Sequence, residues 1–131
     1  MISLQLISLF VTLSFFFWAF FMVLSILKGA PFIRSTKKRI SGILDLAQAD
    51  TTDRVLDLGS GDGSIPLAFA QKGIRADGCE INFFLVVYSR IRAQFLHLEK
   101  LSHFHWGNMW RYDISNYSIV TVYGFPSIMA D

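Results

Sequence analysis

The most constraining feature of this chain is the segment 55–63, VLDLGSGDG, in which an apolar run leads directly into a glycine-rich loop. Gly59 and Gly61 allow positive φ and let a ligand approach the main chain closely. A loop built for pyrophosphate has a third small residue at a fixed spacing and offers free N–H groups to the anion. Here the third position is a serine, and Asp57 and Asp62 bracket the turn. The pattern predicts a strand, a ligand-binding turn and a helix, and it disfavours a phosphate ligand.

Two carboxylates beside a glycine turn suit a ligand with positive amino and sulfonium groups, such as S-adenosylmethionine. Glu80 agrees with this interpretation, since it lies 21 residues after Gly59 at the end of the apolar-rich run 74–81. An acid there can accept hydrogen bonds from both ribose hydroxyls, as in dinucleotide-binding folds. The alternative is a nucleotide-dependent dehydrogenase domain, but the loop acids and the serine at the third glycine position argue against it.

These residues resemble the Rossmann-like S-adenosylmethionine-dependent methyltransferases. Residues 57–63 are similar to the first motif of that superfamily, and residues 80–82 to the acidic end of its second strand. A narrower resemblance is to the small membrane-anchored protein-lysine methyltransferases that modify the mitochondrial ATP synthase c-subunit and the adenine nucleotide translocase. It rests on four segments in order behind an apolar N-terminus: 31–36, 78–82, 107–110 and 125–127. Two departures are Phe83, where the family often has proline, and Asn108, where many relatives have aspartate.

The resemblance implies that S-adenosylmethionine is the cofactor and assigns eight residues to its site. The glycine loop would lie against the methionine part, the acid of the first strand would hold its ammonium group, and Glu80 would hold the ribose. Ile81, Asn108 and Met109 would surround the adenine. The implied cofactor-binding residues are Asp57, Gly59, Ser60, Gly61, Glu80, Ile81, Asn108 and Met109.

The substrate side of the site is expected at Tyr123, Phe125 and Pro126, at the end of the fourth strand, where relatives receive the target nitrogen. An aromatic ring there can hold a cation or shape a narrow channel. Methyl transfer from a sulfonium mainly requires positioning, desolvation and a way for the proton to leave, so no catalytic side chain is assigned. The three histidines lack metal-ligand spacing with any acid or cysteine, and no metal is predicted.

The N-terminus is a second strong feature, because residues 4–27 are 24 consecutive uncharged residues. As a helix this run is about 36 Å long, enough to cross a hydrocarbon core of about 30 Å. All 22 formally charged side chains lie from Lys28 onward. A cleaved signal peptide is disfavoured, because no basic residue precedes the apolar run and the run is too long. A buried core helix is also disfavoured, since so small a domain could hardly surround a helix apolar on every face.

The charges after the span predict its orientation. Basic residues follow it at once: Lys28, Arg34, Lys37, Lys38 and Arg39. Positive charge on that flank predicts a single-pass membrane protein with its C-terminal domain on the cytoplasmic or mitochondrial matrix side. The expected partners are the lipid bilayer and a membrane-protein substrate. The net charge of +2 is too small to predict nucleic-acid binding.

After the span the chain alternates between strand and helix patterns, which predicts an α/β fold. Strands are expected at 54–58, 75–80, 103–106 and 119–123, and helices after Ser35 or Thr36, at 64–72 and from 83 to about 98. The apolar positions of the last helix are expected at Leu85, Val86, Ile91, Phe95 and Leu98. The family resemblance implies the strand order 3-2-1-4. The prediction is a partial Rossmann-like parallel sheet with flanking helices, preceded by one N-terminal transmembrane helix.

The predicted domains are an anchor at 1–28, a linker at 29–34 and a cofactor-binding domain at 35–131. Since the methyltransferases it resembles have seven strands, we expect the chain to be part of a longer enzyme or a half-domain completed by a partner. The predicted function is a membrane-tethered methyltransferase acting on a lysine of a membrane protein. The alternatives are a membrane-dissolved small substrate, such as a quinone or lipid, and an inactive truncated remnant that binds the cofactor.

Overall fold

The structure, a computed structural model, describes residues 2–28 and 35–122 of the chain. The chain divides into two units, Met1–Pro31 and Phe32–Asp131. The boundary between them falls inside the predicted linker 29–34, which lies outside the described residues. The roles assigned from sequence to the anchor, the linker and the domain stay predictions.

The first unit contains one helix, α1 (Ile2–Lys28). Its stretch Leu4–Val23 is long and apolar enough to cross a membrane, and none of it is buried. Within the part of the chain that the structure describes, this helix is therefore not a core helix. A signal sequence near an N-terminus can meet the same minimum length and hydropathy, so a membrane span remains a prediction for this helix.

The second unit is a four-stranded parallel sheet with helices between its strands. Its elements are α2 (Lys37–Ala47), β1 (Arg54–Leu58), α3 (Ser64–Gln71), β2 (Arg75–Glu80), α4 (Phe83–Phe95), β3 (Phe104–Trp106), a 3-10 turn (Met109–Arg111) and β4 (Ile119–Val122). The strand order is β3-β2-β1-β4, and each neighbouring pair is parallel. The predicted α/β class and strand order are confirmed. Because β2 and β4 flank β1, the crevice at the carboxyl ends of these strands is where ligands bind in such sheets.

The helix boundaries follow from local capping. Thr36 begins α2, and its Oγ1 accepts a hydrogen bond from the N–H of Arg39 at 3.3 Å. Asn82 begins α4, and its Oδ1 accepts a hydrogen bond from the N–H of Phe84 at 3.0 Å. Gly73 follows α3 with φ of +79°, the left-handed conformation that ends many helices.

The structure differs from the prediction for α4 at its end and at two of its predicted apolar positions. The helix stops at Phe95 instead of about residue 98. Of the predicted apolar positions, Val86 is buried and Leu98 packs against the core, whereas Ile91 and Phe95 are 53% and 86% exposed. The buried positions of α4 are Val86, Ser89 and Ala93. The small serine lies inside because α4 passes close to the glycine loop: a Cβ added to Gly63 would lie 2.9 Å from the Cβ of Ser89.

The core lies between the sheet and its three helices. One cluster joins Val55 and Ala76 of the strands to Phe69 of α3, and apolar residues of α2 pack against it. A second cluster joins Leu67 of α3, Val86 and Ala93 of α4, and Phe104 of β3. Asp77 follows Ala76 in β2 and therefore points to the opposite face, where its Oδ2 accepts a hydrogen bond from the Tyr117 hydroxyl at 2.8 Å. The segment between β3 and β4 thus crosses the face opposite α3.

Candidate functional site

The loop between β1 and α3 is built around backbone conformations that favour glycine. Gly59 has φ of +78° and Gly61 has φ of +55°. The N–H groups of Gly59 and Ser60 both donate to the carbonyl of Cys79, at 2.8 and 3.1 Å. The N–H of Gly63 donates to the carbonyl of Ser60 at 2.9 Å. These bonds tie the loop to the end of β2 and hold its shape.

Glu80, at the end of the second strand, is hydrogen-bonded to the glycine loop. Its Oε2 accepts a hydrogen bond from the N–H of Gly61 at 2.9 Å. Its Oε1 accepts one from the N–H of Asn82 at 2.8 Å. Each carboxylate oxygen can accept a further hydrogen bond, so both remain able to receive a ligand hydroxyl. The structure therefore brings Glu80 and the glycine loop together in a fixed arrangement.

Asp57 is buried at the carboxyl end of β1, with 2% of its surface exposed. Thr121 of β4 donates a hydrogen bond from Oγ1 to its Oδ1 at 2.7 Å. Burial raises the pKa of Asp57 to about 7, the nearby charges of Glu80 and Asp62 also raise it, and the Thr121 hydrogen bond opposes these effects. A positive ligand group beside this carboxyl would favour its ionised form. Thr121 is a site residue that the sequence analysis missed.

Asp62 is engaged within the protein, which corrects the expectation that both loop acids face a cationic ligand. Its Oδ1 accepts hydrogen bonds from the N–H and hydroxyl of Ser64, at 3.2 and 2.7 Å. Its Oδ2 lies 3.2 Å from Nη1 of Arg92, which also donates to the Asp62 carbonyl at 2.7 Å. This acid fastens the start of α3 to α4, leaving Asp57 and Glu80 as the acids of the crevice.

Ser60 faces the protein interior. It is 7% exposed, and its Oγ has no hydrogen-bond partner among the described residues. A Cβ added to Gly78 would lie 2.5 Å from that Oγ, so β2 needs a glycine at the point where the loop crosses it. A glycine inside a strand pattern is the sequence signal for such a close approach. Any contribution of Ser60 to a ligand site therefore comes from its backbone.

The three residues predicted to surround adenine lie on two neighbouring segments. Met109 approaches the loop, with its Sδ 3.8 Å from where a Cβ of Gly59 would be. Asn108 is exposed, and its Oδ1 accepts the N–H of Trp110 at 3.0 Å, which caps the 3-10 turn. Ile81 is half-buried, and its carbonyl accepts a hydrogen bond from the indole of Trp106 at 2.9 Å.

Trp106 is a second residue of this region that the sequence analysis missed. It ends β3 and is 60% exposed. Its ring lies 5.6 Å from that of Phe83 in an edge-to-face arrangement. Phe83 replaces the proline that the family often has, so this pair adds aromatic surface beside Ile81. A large aromatic residue at the carboxyl end of a strand, directly before a glycine, was the available signal.

The predicted substrate residues Tyr123, Phe125 and Pro126 lie outside the described residues. The described part of β4 ends at Val122, which pairs with Leu58 of β1. Among the described residues, no group of three or more His, Cys, Asp or Glu side chains could hold a metal ion.

Comparison with known proteins agrees with this geometry. Residues 57–131 match the family model of the ANTKMT methyltransferase domain. The human lysine N-methyltransferase of the ATP synthase c-subunit is 36% identical over 99 residues, which cover 76% of this chain and 42% of that protein. The mouse adenine nucleotide translocase lysine N-methyltransferase is 30% identical over 100 residues, which cover 76% of this chain and 43% of that protein.

Solved structures share the fold. An RNA methyltransferase from Salinibacter ruber, crystallised with S-adenosyl-L-homocysteine, aligns with a TM-score of 0.70 and 37% identity over 73% of this chain and 63% of that one. A methyltransferase from Geobacter sulfurreducens, 22% identical, aligns with a TM-score of 0.62 over 71% of this chain and 38% of that one. The chain spans less than half the length of the two lysine methyltransferases. Since the family model covers more than half of its residues, the chain belongs to the ANTKMT methyltransferase domain family.

Proposed function

We propose that the domain binds S-adenosylmethionine in the crevice at the carboxyl ends of β1 and β2 and belongs to an enzyme that methylates lysine. The observation that carries this proposal is the Glu80 carboxylate, held by the N–H groups of Gly61 and Asn82 beside an exposed Gly59. That arrangement presents two fixed acceptor oxygens to a ribose, next to a stretch of backbone that a ligand can approach.

The hydrogen bonds of the loop argue against the dehydrogenase alternative. A pyrophosphate would need free backbone N–H groups. In the described loop, Gly59 and Ser60 donate to Cys79, Gly61 donates to Glu80, and Gly63 donates to Ser60. The loop therefore keeps few donors for an anion, while Asp57 and Glu80 place negative charge where the amino group and the ribose hydroxyls of S-adenosylmethionine would lie.

Methyl transfer depends more on positioning the cofactor and the target nitrogen than on reactive side chains. The cofactor supplies a methyl group on a positive sulfur, which a nucleophile displaces in line. In our proposal Asp57 holds the amino group of the cofactor, Glu80 holds its ribose, and Met109 stands above Gly59 as an apolar wall. The target lysine must be neutral to attack, so an apolar mouth formed by Tyr123 and Phe125 would assist by disfavouring its ammonium form.

We further propose that α1 anchors the chain in a membrane and that the target is a membrane protein. Support comes from the uncharged Leu4–Val23 stretch and from the relatives named for the ATP synthase c-subunit and the adenine nucleotide translocase. The basic residues that follow place the domain on the cytoplasmic or matrix side in this proposal. A tether raises the effective concentration of substrates in the same membrane and gives soluble ones no benefit.

Two experiments test these proposals in sequence. Calorimetry of the full chain with S-adenosylmethionine and with NAD tests the site, and tighter NAD binding would contradict it. Radiolabelled methyl donor is then supplied to membranes with the chain, both in its present length and in any longer natural form. Methyl-lysine in membrane protein supports the proposal. Label in solvent-extractable material indicates a small substrate, and label in RNA indicates an RNA substrate. Binding of the cofactor without transfer of its methyl group indicates an inactive remnant.

A further inference from the structure

Helix α4 carries a row of large apolar side chains on its outer face. Tyr88, Ile91 and Phe95 lie on successive turns and are 48%, 53% and 86% exposed. The opposite face of the helix, including Val86 and Ala93, is buried against α3 and β3. The helix is therefore apolar on both sides, which is unusual for a helix whose outer face meets only water. We call Tyr88, Ile91 and Phe95 the α4 row.

The charged residues of α4 itself are both arginines, of which Arg92 is paired with Asp62 of the glycine loop. Residues 82–98 contain Arg90 and Arg92 but no Asp or Glu. Arg92 also stacks on the ring of Tyr88, with its guanidinium carbon 5.7 Å from the ring centre. An apolar row flanked by arginines is the composition of helices that lie in the boundary between lipid headgroups and acyl chains.

A basic groove lies beside the same helix, between α2, α3 and α4. Its cationic lining comes from Lys37, Lys72 and Arg92, and its hydroxyl lining includes Ser41. The groove encloses about 790 Å³ and also reaches Leu96, which directly follows α4 and is 43% exposed. The α4 row and the basic groove therefore lie next to each other at the C-terminal end of α4.

We propose that the outer face of α4 docks on the surface of a bilayer containing anionic phospholipid, with the α4 row at the headgroup boundary and a lipid phosphate in the basic groove. The inference rests on the proposed membrane anchor. Only residues 29–36 separate α1 from α2, and eight residues span at most about 30 Å. A domain held so near a membrane meets lipid before any soluble partner, which favours lipid over a second copy of the chain as the occupant of this face.

The test compares two isoleucines of similar exposure on opposite faces of the sheet. Ile91 is 53% exposed, and Ile114, on the segment between β3 and β4, is 49% exposed. The full chain carries Ile91→Cys or Ile114→Cys, each labelled with a fluorophore and reconstituted into phosphatidylcholine vesicles with or without phosphatidylserine. Cys79 is fully buried, so the unsubstituted chain provides the labelling blank. A lipid-attached quencher reports contact with the bilayer.

In the anionic vesicles we expect the label at position 91 to be quenched at least about twofold more than the label at 114, since interfacial helices insert their apolar face about 5–10 Å. Lys37→Gln combined with Lys72→Gln should reduce that difference, as should salt. The inference would be overturned if the labels at positions 91 and 114 were quenched equally. It would also be overturned if the label at 91 were quenched as strongly in vesicles without phosphatidylserine, or if quenching followed protein density instead of lipid charge. Resistance to alkaline carbonate extraction is measured on the same samples. An anchored chain with an unquenched α4 row refutes only the docking face, whereas an extracted chain refutes the proposed anchor.

Discussion

Two segments meet at the proposed cofactor crevice, and they are built in opposite ways. The β1–α3 loop is held by partners distant in sequence, since Glu80 accepts from Gly61 and Arg92 binds Asp62. The segment 107–111 after β3 is bonded to β2 at Gly107, whose N–H donates to the Glu80 carbonyl at 3.0 Å. Beyond that glycine it is held by neighbours, since Asn108 caps its own 3-10 turn and Trp110 is 61% exposed. Packing against the core therefore fixes the conformation of the β1–α3 loop, whereas the later segment can adjust to a ligand. We infer that the loop fixes where the cofactor lies and that the later segment adds a smaller share of the affinity.

The largest expected effect is on folding, from an added methyl group in the loop. A Cβ at Gly63 would lie 2.7 Å from Cε1 of Phe104 and 2.9 Å from Cβ of Ser89, at φ of +75°. Both neighbours are buried, so Gly63→Ala should destabilise the domain by about 3 kcal/mol or more. At Gly107, in the later segment, a Cβ would lie 3.7 Å from Sγ of Cys79, an ordinary contact. Gly107→Ala should therefore change stability by less than about 1 kcal/mol.

The buried thiol of Cys79 provides the measurement for this pair. Burial raises its pKa to about 11, and the charge of Glu80 adds to that effect. The extent to which a thiol reagent labels this single cysteine is measured as the denaturant concentration is raised. Because Cys79 lies in β2, the labelling reports the opening of the domain and not changes in α1. Equal labelling midpoints for the two variants would show that the loop is no more tightly packed than the later segment.

The second effect concerns the affinity for the cofactor. Glu80→Gln keeps the size of the side chain but removes its charge, and its amide must face either the ribose or a backbone N–H. We expect affinity for S-adenosylhomocysteine to fall by about 10- to 100-fold, since hydrogen bonds to charged groups contribute about 1.5–3 kcal/mol each. Glu99→Gln, on an exposed acid outside the crevice, is the matched control. A loss below about threefold, with unchanged unfolding, would remove Glu80 from the proposed site.

The sequence predicted the loop well because its signals are local. The apolar run of β1 and the glycines after it need no distant partner to be recognised, and the predicted strand Arg54–Leu58 matches the structure. Capping by Thr36 and the helix end at Gly73 were predictable for the same reason. The pairing of Asp62 with Arg92, 30 residues away, was not. It depends on how α3 packs against α4, which no local pattern specifies.

Helix α4 shows a second limit of sequence patterns. The sequence places apolar residues on two sides of this helix, so their periodicity cannot tell which side faces the core. Hydrophobicity favours Ile91 and Phe95, but the structure buries Ser89, whose hydroxyl donates to the carbonyl of Gly61 at 3.2 Å. Close approach of the helix to the glycine loop leaves room for a small side chain only. The requirement comes from tertiary packing and is absent from the helix's own pattern.

A third effect should appear in the pH dependence of binding. Because the pKa of Asp57 is raised to about 7 in the ligand-free protein, this carboxyl is largely neutral at pH 6 and ionised at pH 8. A ligand ammonium group gains from the ionised form only, so affinity for S-adenosylhomocysteine should rise with pH, by up to about tenfold over this range. Asp57→Asn should bind weakly at both pH values and remove the trend.

The hydroxyl of Thr121 offers a sharper version of this experiment. Its hydrogen bond to Asp57 lowers the pKa of that carboxyl. Thr121→Val should therefore move the midpoint of the affinity increase to higher pH. Calorimetry at a series of pH values measures the midpoint. A pH trend that persists in Asp57→Asn would assign the titration to another group and remove the ammonium contact from the proposal.

The smallest effect is expected in the later segment, at Asn108. Its side chain has two roles to separate: Oδ1 accepts the N–H of Trp110 at 3.0 Å, and the amide is predicted to bond adenine. Asn108→Asp keeps the capping oxygen and supplies the carboxylate that many relatives have, so affinity for S-adenosylhomocysteine should hold or rise slightly. Asn108→Ala loses both roles, and affinity should fall about two- to tenfold, as for one neutral hydrogen bond of about 0.5–1.5 kcal/mol. A loss at Asn108→Ala as large as that at Glu80→Gln would mean that both segments fix the cofactor equally, and the contrast between them would fail.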